Sequence, residues 1–524
     1  MNKTTTTQTS GLEESLNTMV SKPLFVFLIL FFVPFLTYLE VYTFQFSKDD
    51  FLSILPLPGL DQLSSIPRYF VSPVEFLDTA TNELKNLHYY RPIATSTLTI
   101  DFFLFGKENP GILHLENLFL HILNGFLLFL LFSHLTTRQI ALLGALCYSI
   151  FPMFTEMVSI YHYRVDLLCT FFMFLALYVT VTVEKKWWSY VVSMLFLLAM
   201  LSKEIAIVLL VLIPLLRYHR FSLPSVKEGV VIVLFPMLCY WSLRYYALGD
   251  FISPPNEFNL DIFQEKNVDF LLKMELILEA FGLRCFWILS PFQIQPKVML
   301  SLTGTNYFAI PGLVLLLSLT ISSLFYFKSK RLIHLASIGI LTTWFPLSSI
   351  LVAVPDFASA RLFYYPAPWI ILLLLLIVSS IPLKLVRVVI IASLLFLWGG
   401  SSYIQKSWYR SNLTGALGVA EFYPNNLMSQ GSVGRILIQG GNYADGYEYS
   451  LKAYSLLMKK YGNIEQAAGA NPRVTLDILK QLLEHALWRE KEGKAKEILT
   501  EIQRLFPSED ILSYLKRVKA QRKE

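Results

Sequence analysis

The stretch YTFQFSKDDFLSI, residues 42–54, sets two adjacent carboxylates, Asp49 and Asp50, directly after a long apolar segment. A carboxylate held where a chain leaves a bilayer can act as general base toward a hydroxyl within hydrogen-bonding reach. Other ionisable residues stand in comparable places. Glu156, Arg164 and Asp166 flank the turn in FTEMVSIYHYRVD, Lys203 and Glu204 sit in LSKE, and Arg361 starts a late apolar run. Any one of these could be a side chain snorkelling to the interface. Ionisable groups at membrane depth are expensive, however, and eight together favour an interior cavity. Cations in such a cavity suit the charge that develops on a phosphate leaving group. Arginine offers a bidentate fork and lysine a point charge. A polyprenyl-phosphate sugar as donor and a hydroxyl as acceptor would use both halves of the set, with Asp49 or Asp50 as the base.

The elements that must position these residues are membrane helices. The 524 residues are 54% hydrophobic and only 16% charged, and the mean hydropathy is +0.52. That balance excludes an ordinary soluble globular protein and fits a polytopic membrane protein. The net charge of +6 is small for this length and gives no nucleic-acid signal. Cys147, Cys169, Cys239 and Cys285 have neither metal-ligand spacing nor a disulfide pattern. Apolar runs at 22–46, 112–133, 138–155, 163–183, 187–202, 204–217, 227–248, 306–327, 332–354, 361–382 and 384–404 predict about 11 spans. Segment 270–290 carries Lys273, Glu275, Glu279 and Arg284, and is expected to be interfacial or re-entrant. With residues 1–21 as a cytoplasmic tail, the connections holding Arg138, Lys185, Arg217, Lys328 and Lys384 all fall inside, as the positive-inside rule requires. The eight ionisable residues, the first loop (47–111) and the C-terminal tail then all lie outside.

Two further features bear on function. His114, Asn117, His121 and Asn124 follow one helical face in HLENLFLHILN, where they could bond neighbouring helices or bind sugar hydroxyls or a phosphate. Beyond the predicted membrane domain (22–404), the composition changes. The last 124 residues hold 31 of the 82 charges. Region 405–524 reads as an outer helical domain of helix–turn–helix units, the first with a Gly-rich turn and the second turning at Gly493. Pro472 and Pro507 are 35 residues apart, close to the roughly 34-residue period of tetratricopeptide repeats. A scaffold that presents an acceptor and a plain helical cap are both open readings of this tail.

The motifs YYRPIATSTLTIDFFLFG, LHLENLFLHILNGFLLFLLF, SIFPMFTEMVSIYHYRVDLLCTFFMFLAL, LSKE, ARLFYYP and KSWYRSNLTGALGVAEFYPNN occur in that order. Together they resemble the transmembrane-and-tetratricopeptide-repeat O-mannosyltransferases and their bacterial relatives over about residues 40–430. The resemblance implies the GT-C glycosyltransferase fold, an all-α membrane bundle whose members take sugar from a polyprenyl phosphate on the outer or lumenal face. It implies an acidic base in the first outer loop, hence Asp49 or Asp50. It makes Tyr90, Arg91, His121, Glu156, Arg164, Asp166, Lys203, Glu204 and Arg361 candidates for donor and acceptor binding. The sequence departs from the family at Phe151 and Phe154, where histidines are frequent, and at Val165 and Ala360. These departures leave open the sugar, mannose or a similar hexose, and the acceptor, a protein or a glycan.

The expected partners are therefore a lipid-linked sugar, an acceptor and membrane lipid, with no nucleic acid. No residue spacing demands a metal, although a divalent cation is compatible with the chemistry. The expected location is a bacterial inner membrane with a periplasmic tail. Two other functions compete. A transporter or flippase of lipid-linked glycan would favour internal repeats and polar residues at the midplane. A membrane scaffold would leave the eight ionisable residues without a task.

Overall fold

A computed structural model of the chain describes residue 18 and residues 21–47, 50, 54–55, 57–73, 75–78, 83–86, 89–251, 269–298, 306–325, 331–351, 354 and 356–521. Asp49 lies outside the described residues. The chain divides into two units, Met1–Arg410 and Ser411–Glu524.

The first unit is built from thirteen main helices among the described residues. They are α1 Pro23–Tyr38, α2 Pro92–Phe105, α3 Pro110–Leu135, α4 Arg138–Ser149, α5 Arg164–Thr182, α6 Trp188–Ser202, α7 Leu209–Arg220, α8 Val226–Leu248, α9 Phe270–Leu289, α10 Ala309–Phe325, α11 Arg331–Trp344, α12 Ala367–Ser379 and α13 Lys384–Gln405. Local chemistry sets several of their ends. Pro92 and Pro110 open α2 and α3 at the position where the missing N–H costs nothing. Ser225 and Glu228 form a reciprocal capping box on α8, and Gly249, at φ 76°, ends it. Pro152 breaks the chain after α4, so that Arg138–Ser149 and Pro152–Ser159 meet at 46°.

Among the described residues, five segments are long and apolar enough to cross a membrane: Pro23–Thr43, Pro110–Leu135, Tyr161–Thr182, Val226–Leu248 and Lys384–Tyr409. The bent pair makes a sixth, and five further apolar helices are shorter than a span. Their outward faces carry large bare side chains, among them Leu24, Leu36, Leu238, Ile310, Leu385 and Phe396. Helices that expose such faces belong in lipid, and the chain is an integral membrane protein. Between helices, contact is close where glycines allow it. A Cβ on Gly282 of α9 would stand 2.1 Å from the Phe308 carbonyl oxygen, and one on Gly312 of α10 would stand 2.2 Å from that of Leu278.

Among the described residues the architecture is all-helical but for one hairpin, in which β1 (Glu75–Asp78) pairs antiparallel with β2 (Glu83–Asn86). Both this hairpin and α2 fall within the first loop predicted at 47–111. Helix α2 is apolar, but at 14 residues it is shorter than a span. The first unit also runs past the predicted 404/405 boundary. Buried Lys406 donates to the Thr37 carbonyl at 3.0 Å and pairs with Glu40 at 3.2 Å, and the Gln45 N–H donates to the Arg410 carbonyl at 2.9 Å. These bonds hold residues 405–410 to the first span.

The second unit is wholly helical among its described residues: α14 Asn412–Phe422, α15 Leu427–Gln439, α16 Tyr443–Tyr461, α17 Ile464–Ala470, α18 Pro472–Trp488, α19 Glu492–Leu505 and α20 Ile511–Gln521. Asn426 and Asn442 cap α15 and α16 through their side-chain oxygens. The turn after α18 falls at Arg489–Lys491, ahead of Gly493, which is already helical. Glu490 takes the left-handed conformation at φ 55°, and the N–H groups of Arg489, Glu490 and Lys491 donate to the last carbonyls of α18.

Candidate active site

The broken segment after α4 organises the site. Residues 152–163 form three short helical turns and deliver Glu156 and His162 ahead of α5, whose first turn carries Arg164 and Asp166. Asp50 reaches this segment from the first loop and is fully buried. Its Oδ1 accepts the His162 N–H at 2.7 Å and its Oδ2 accepts the Ser47 N–H at 3.0 Å. Two main-chain donors thus fix the orientation of the carboxylate against the turn.

Arg164 lies in an anionic cradle. Its Nη1 donates to Asp101 at 2.6 Å, its Nη2 to Glu116 at 3.0 Å, and its Nε to the Asn117 side-chain oxygen at 2.6 Å. Tyr161 donates to the same Asp101 oxygen at 2.7 Å. Asp101 and Glu116 were not among the residues singled out from sequence. The signal for both was a charge inside an apolar helix.

Two residues further along α5, Asp166 pairs with Lys203 and accepts the Tyr365 hydroxyl at 2.7 Å. The adjacent Glu204 accepts from Arg91 Nη2 at 3.2 Å and Nε at 3.3 Å, and Arg244 of α8 stands 3.7 Å from its other oxygen. Burial works against the Arg91 charge, but Glu204, Tyr89 and Asp166 more than offset that cost and hold its pKa above the usual arginine value. Tyr90 turns away and donates to the Phe70 carbonyl at 3.0 Å. In a third group, Arg361 donates to the Tyr163 hydroxyl at 2.7 Å and lies 3.6 Å from Glu156, which Ser359 also contacts at 3.3 Å.

The pairs are asymmetric in a useful way. The side chains of Lys203, Arg91 and Arg361 are 16–17% exposed, whereas those of Asp166 and Glu156 are 4% and 7%. Lys203 and Arg361 therefore keep an accessible edge above more deeply buried carboxylates, whereas Glu204, 35% exposed, is more accessible than its partner Arg91. Such an arrangement can receive an anion without first breaking an ion pair.

His121 lies elsewhere. It is fully buried, with one ring nitrogen 3.0 Å from the Tyr364 hydroxyl and the other 3.0 Å from the Ser149 carbonyl oxygen. Asn124 donates to the Leu167 carbonyl and to Tyr364, and Asn117 to the carbonyls of Ile160 and Tyr161. His114 is caged by Phe44, Phe46 and Tyr161. Asn117, His121 and Asn124 of the α3 stripe thus bond across the bundle. Phe151 and Phe154 fill an aromatic cluster, with Phe154 4.5 Å from the Tyr364 ring and Phe151 4.7 Å from Trp398. Among the described residues, no group of three His, Cys, Asp or Glu side chains could hold a metal ion.

The span holding most of this network has a counterpart among known proteins. Residues 92–241 match the family described as dolichyl-phosphate-mannose-protein mannosyltransferase. The match implies a membrane glycosyltransferase of the mannosyltransferase kind. It takes in Asp101, Glu116, Glu156, Arg164, Asp166, Lys203 and Glu204, whereas Asp50, Arg91, Arg361 and the second unit lie beyond it. No curated protein and no solved structure matches the chain.

Proposed function

We propose that this chain transfers a hexose, mannose or a close relative, from a polyprenyl-phosphate donor to an acceptor hydroxyl at the extracytoplasmic face of a membrane. The observations that support the reading are the partly accessible cations Arg91, Lys203 and Arg361, the oriented carboxylate of Asp50, and the match of residues 92–241, which include Lys203, to a mannosyltransferase family. Asp50 takes the proton of the acceptor hydroxyl as its oxygen attacks C1 of the sugar. The C1–O bond to phosphate breaks, and its electron pair leaves on the phosphate, where the cations receive the charge. In-line displacement inverts the configuration at C1. The carboxylates of Asp166, Glu204 and Glu156 hold the cations in place. The helical hairpins of the second unit are read as degenerate tetratricopeptide-like units.

The test is transfer or hydrolysis of radiolabelled sugar from a panel of polyprenyl-phosphate sugars by the purified chain in nanodiscs, with candidate acceptors supplied. Turnover from the mannosyl donor is expected, with a loss of about 10²–10⁴-fold in Asp50→Asn, the usual range for removal of a general base. Asp49→Asn, run beside it, assigns the base between the two neighbours. A folded protein that turns over no donor with any acceptor would defeat the proposal.

A further inference from the structure

In the second unit, α16 and α18 meet through two aromatic pairs. Tyr447 stacks on His485 with centroids 3.8 Å and planes 15° apart, and Tyr443 stacks on Trp488 at 5.5 Å and 15°. Beside them opens a cleft of about 290 Å³. Its floor is apolar, from Leu482 and Ala486, and its rim carries Arg489, Lys491 and Lys494. The left-handed turn at Glu490 gathers these cations to one mouth. Aromatic faces, not carboxylates, support two of them. The Arg489 guanidinium lies 5.1 Å from the Trp488 ring centre and the Lys494 ammonium 5.9 Å from that of Tyr447. Among the described residues, no ion pair forms to Arg489, Lys491 or Lys494, and Glu448 is the one carboxylate lining the cleft.

We propose that this cleft binds a short acidic peptide segment, with a carboxylate among Arg489, Lys491 and Lys494 and a neighbouring apolar side chain on Leu482 and Ala486. The mixed lining favours a peptide over the alternatives. An anionic bilayer surface would need no apolar floor within a closed cleft, and a polyanionic chain would need a track of cations in place of one mouth. The volume suits one or two side chains. Binding here is independent of sugar transfer, because none of these residues belongs to the first unit.

The cations at the mouth of the cleft act on His485. Burial first, then Arg489, Lys491 and Lys494, hold the pKa of that imidazole below the usual histidine value. Glu448 and Tyr447 are the other titratable groups facing it. A bound carboxylate offsets the cations and raises the His485 pKa. Binding therefore takes up a proton and strengthens as pH falls.

The probe is a fluorescent peptide of alternating Glu and Leu, titrated against the full chain in zwitterionic nanodiscs, with a Gln-for-Glu peptide as control. The Glu peptide is expected to bind, and the Gln peptide to bind at least about tenfold more weakly. Arg489→Gln with Lys494→Gln should weaken binding about tenfold or more, whereas Arg489→Lys with Lys494→Arg should retain it, which separates charge loss from misfolding. Affinity should rise from about pH 7.5 to about pH 6, and His485→Phe, which keeps the stacking, should remove the rise. Equal binding of the two peptides, or binding indifferent to the Gln variants, overturns the proposal. So does binding only to vesicles containing phosphatidylglycerol, which would assign the cleft to lipid.

Discussion

Arg164 donates to Asp101 at 2.6 Å, and that bond ties the first residue of α5 to the buried middle of α2. Because the same guanidinium also reaches Glu116 and Asn117 on α3, one side chain locks three helices around the candidate site. The fork geometry matters more than the charge. Lysine offers a single nitrogen and cannot span the three acceptors. Arg164→Lys is expected to lower stability by about 2–4 kcal/mol, the worth of one or two lost charge-assisted bonds. Denaturant-induced unfolding in detergent reads this directly, and an unchanged midpoint would refute the locking role.

The Lys203–Asp166 pair gives a second test. Removing one member of a buried pair leaves the other charge uncompensated, at a cost of about 3–5 kcal/mol, whereas an apolar replacement of both is often near neutral. Lys203→Met alone should therefore be less stable than Lys203→Met combined with Asp166→Leu. A double-mutant cycle on thermal midpoints checks the sign. Both forms should lose transfer, because the cation is gone in each.

Arg361 is expected to act on the reaction more than on donor binding. If it meets charge that develops only as the phosphate leaves, Arg361→Gln should lower kcat by about 10²–10³-fold with little change in KM. A rise in KM alone would assign it to ground-state binding.

The contact between α9 and α10 has no room for a side chain at Gly282, where the obstacle is backbone. Gly282→Leu should separate the two helices and cost at least about 1–3 kcal/mol, the usual penalty of overpacking. Denaturant-induced unfolding in detergent would report the cost, and an unchanged midpoint in the variant would contradict it.

Much of this was legible in the sequence, and the unread part has a physical pattern. Long apolar runs announced their helices because lipid demands continuous length, as in α3 and α8. The shorter α2 falls within a segment read as loop because its 14 residues cannot span a bilayer, although Pro92 at its start was a helix signal. Individual charges such as Arg164 and Lys203 stood out against apolar neighbours. Their partners were harder to see. Tyr365 and Tyr163 are ordinary aromatic residues in a membrane sequence, and only the folded chain brings them to Asp166 and Glu156. Asp101 was visible as a charge within an apolar helix, but nothing local links it to Arg164 across 63 residues. In the second unit Gly493 looked like the turn, yet the α18 carbonyls captured the N–H groups just before it.

One hold on Asp50 comes from the main chain at position 162. An amide N–H is present in every residue except proline, so this docking carries no side-chain signature. Mutational scans that strip side chains would pass over it, and relatives could drift freely at this position while keeping the same bond. That part of the loop's grip on the candidate site is written in backbone geometry, where comparison of sequences does not reach.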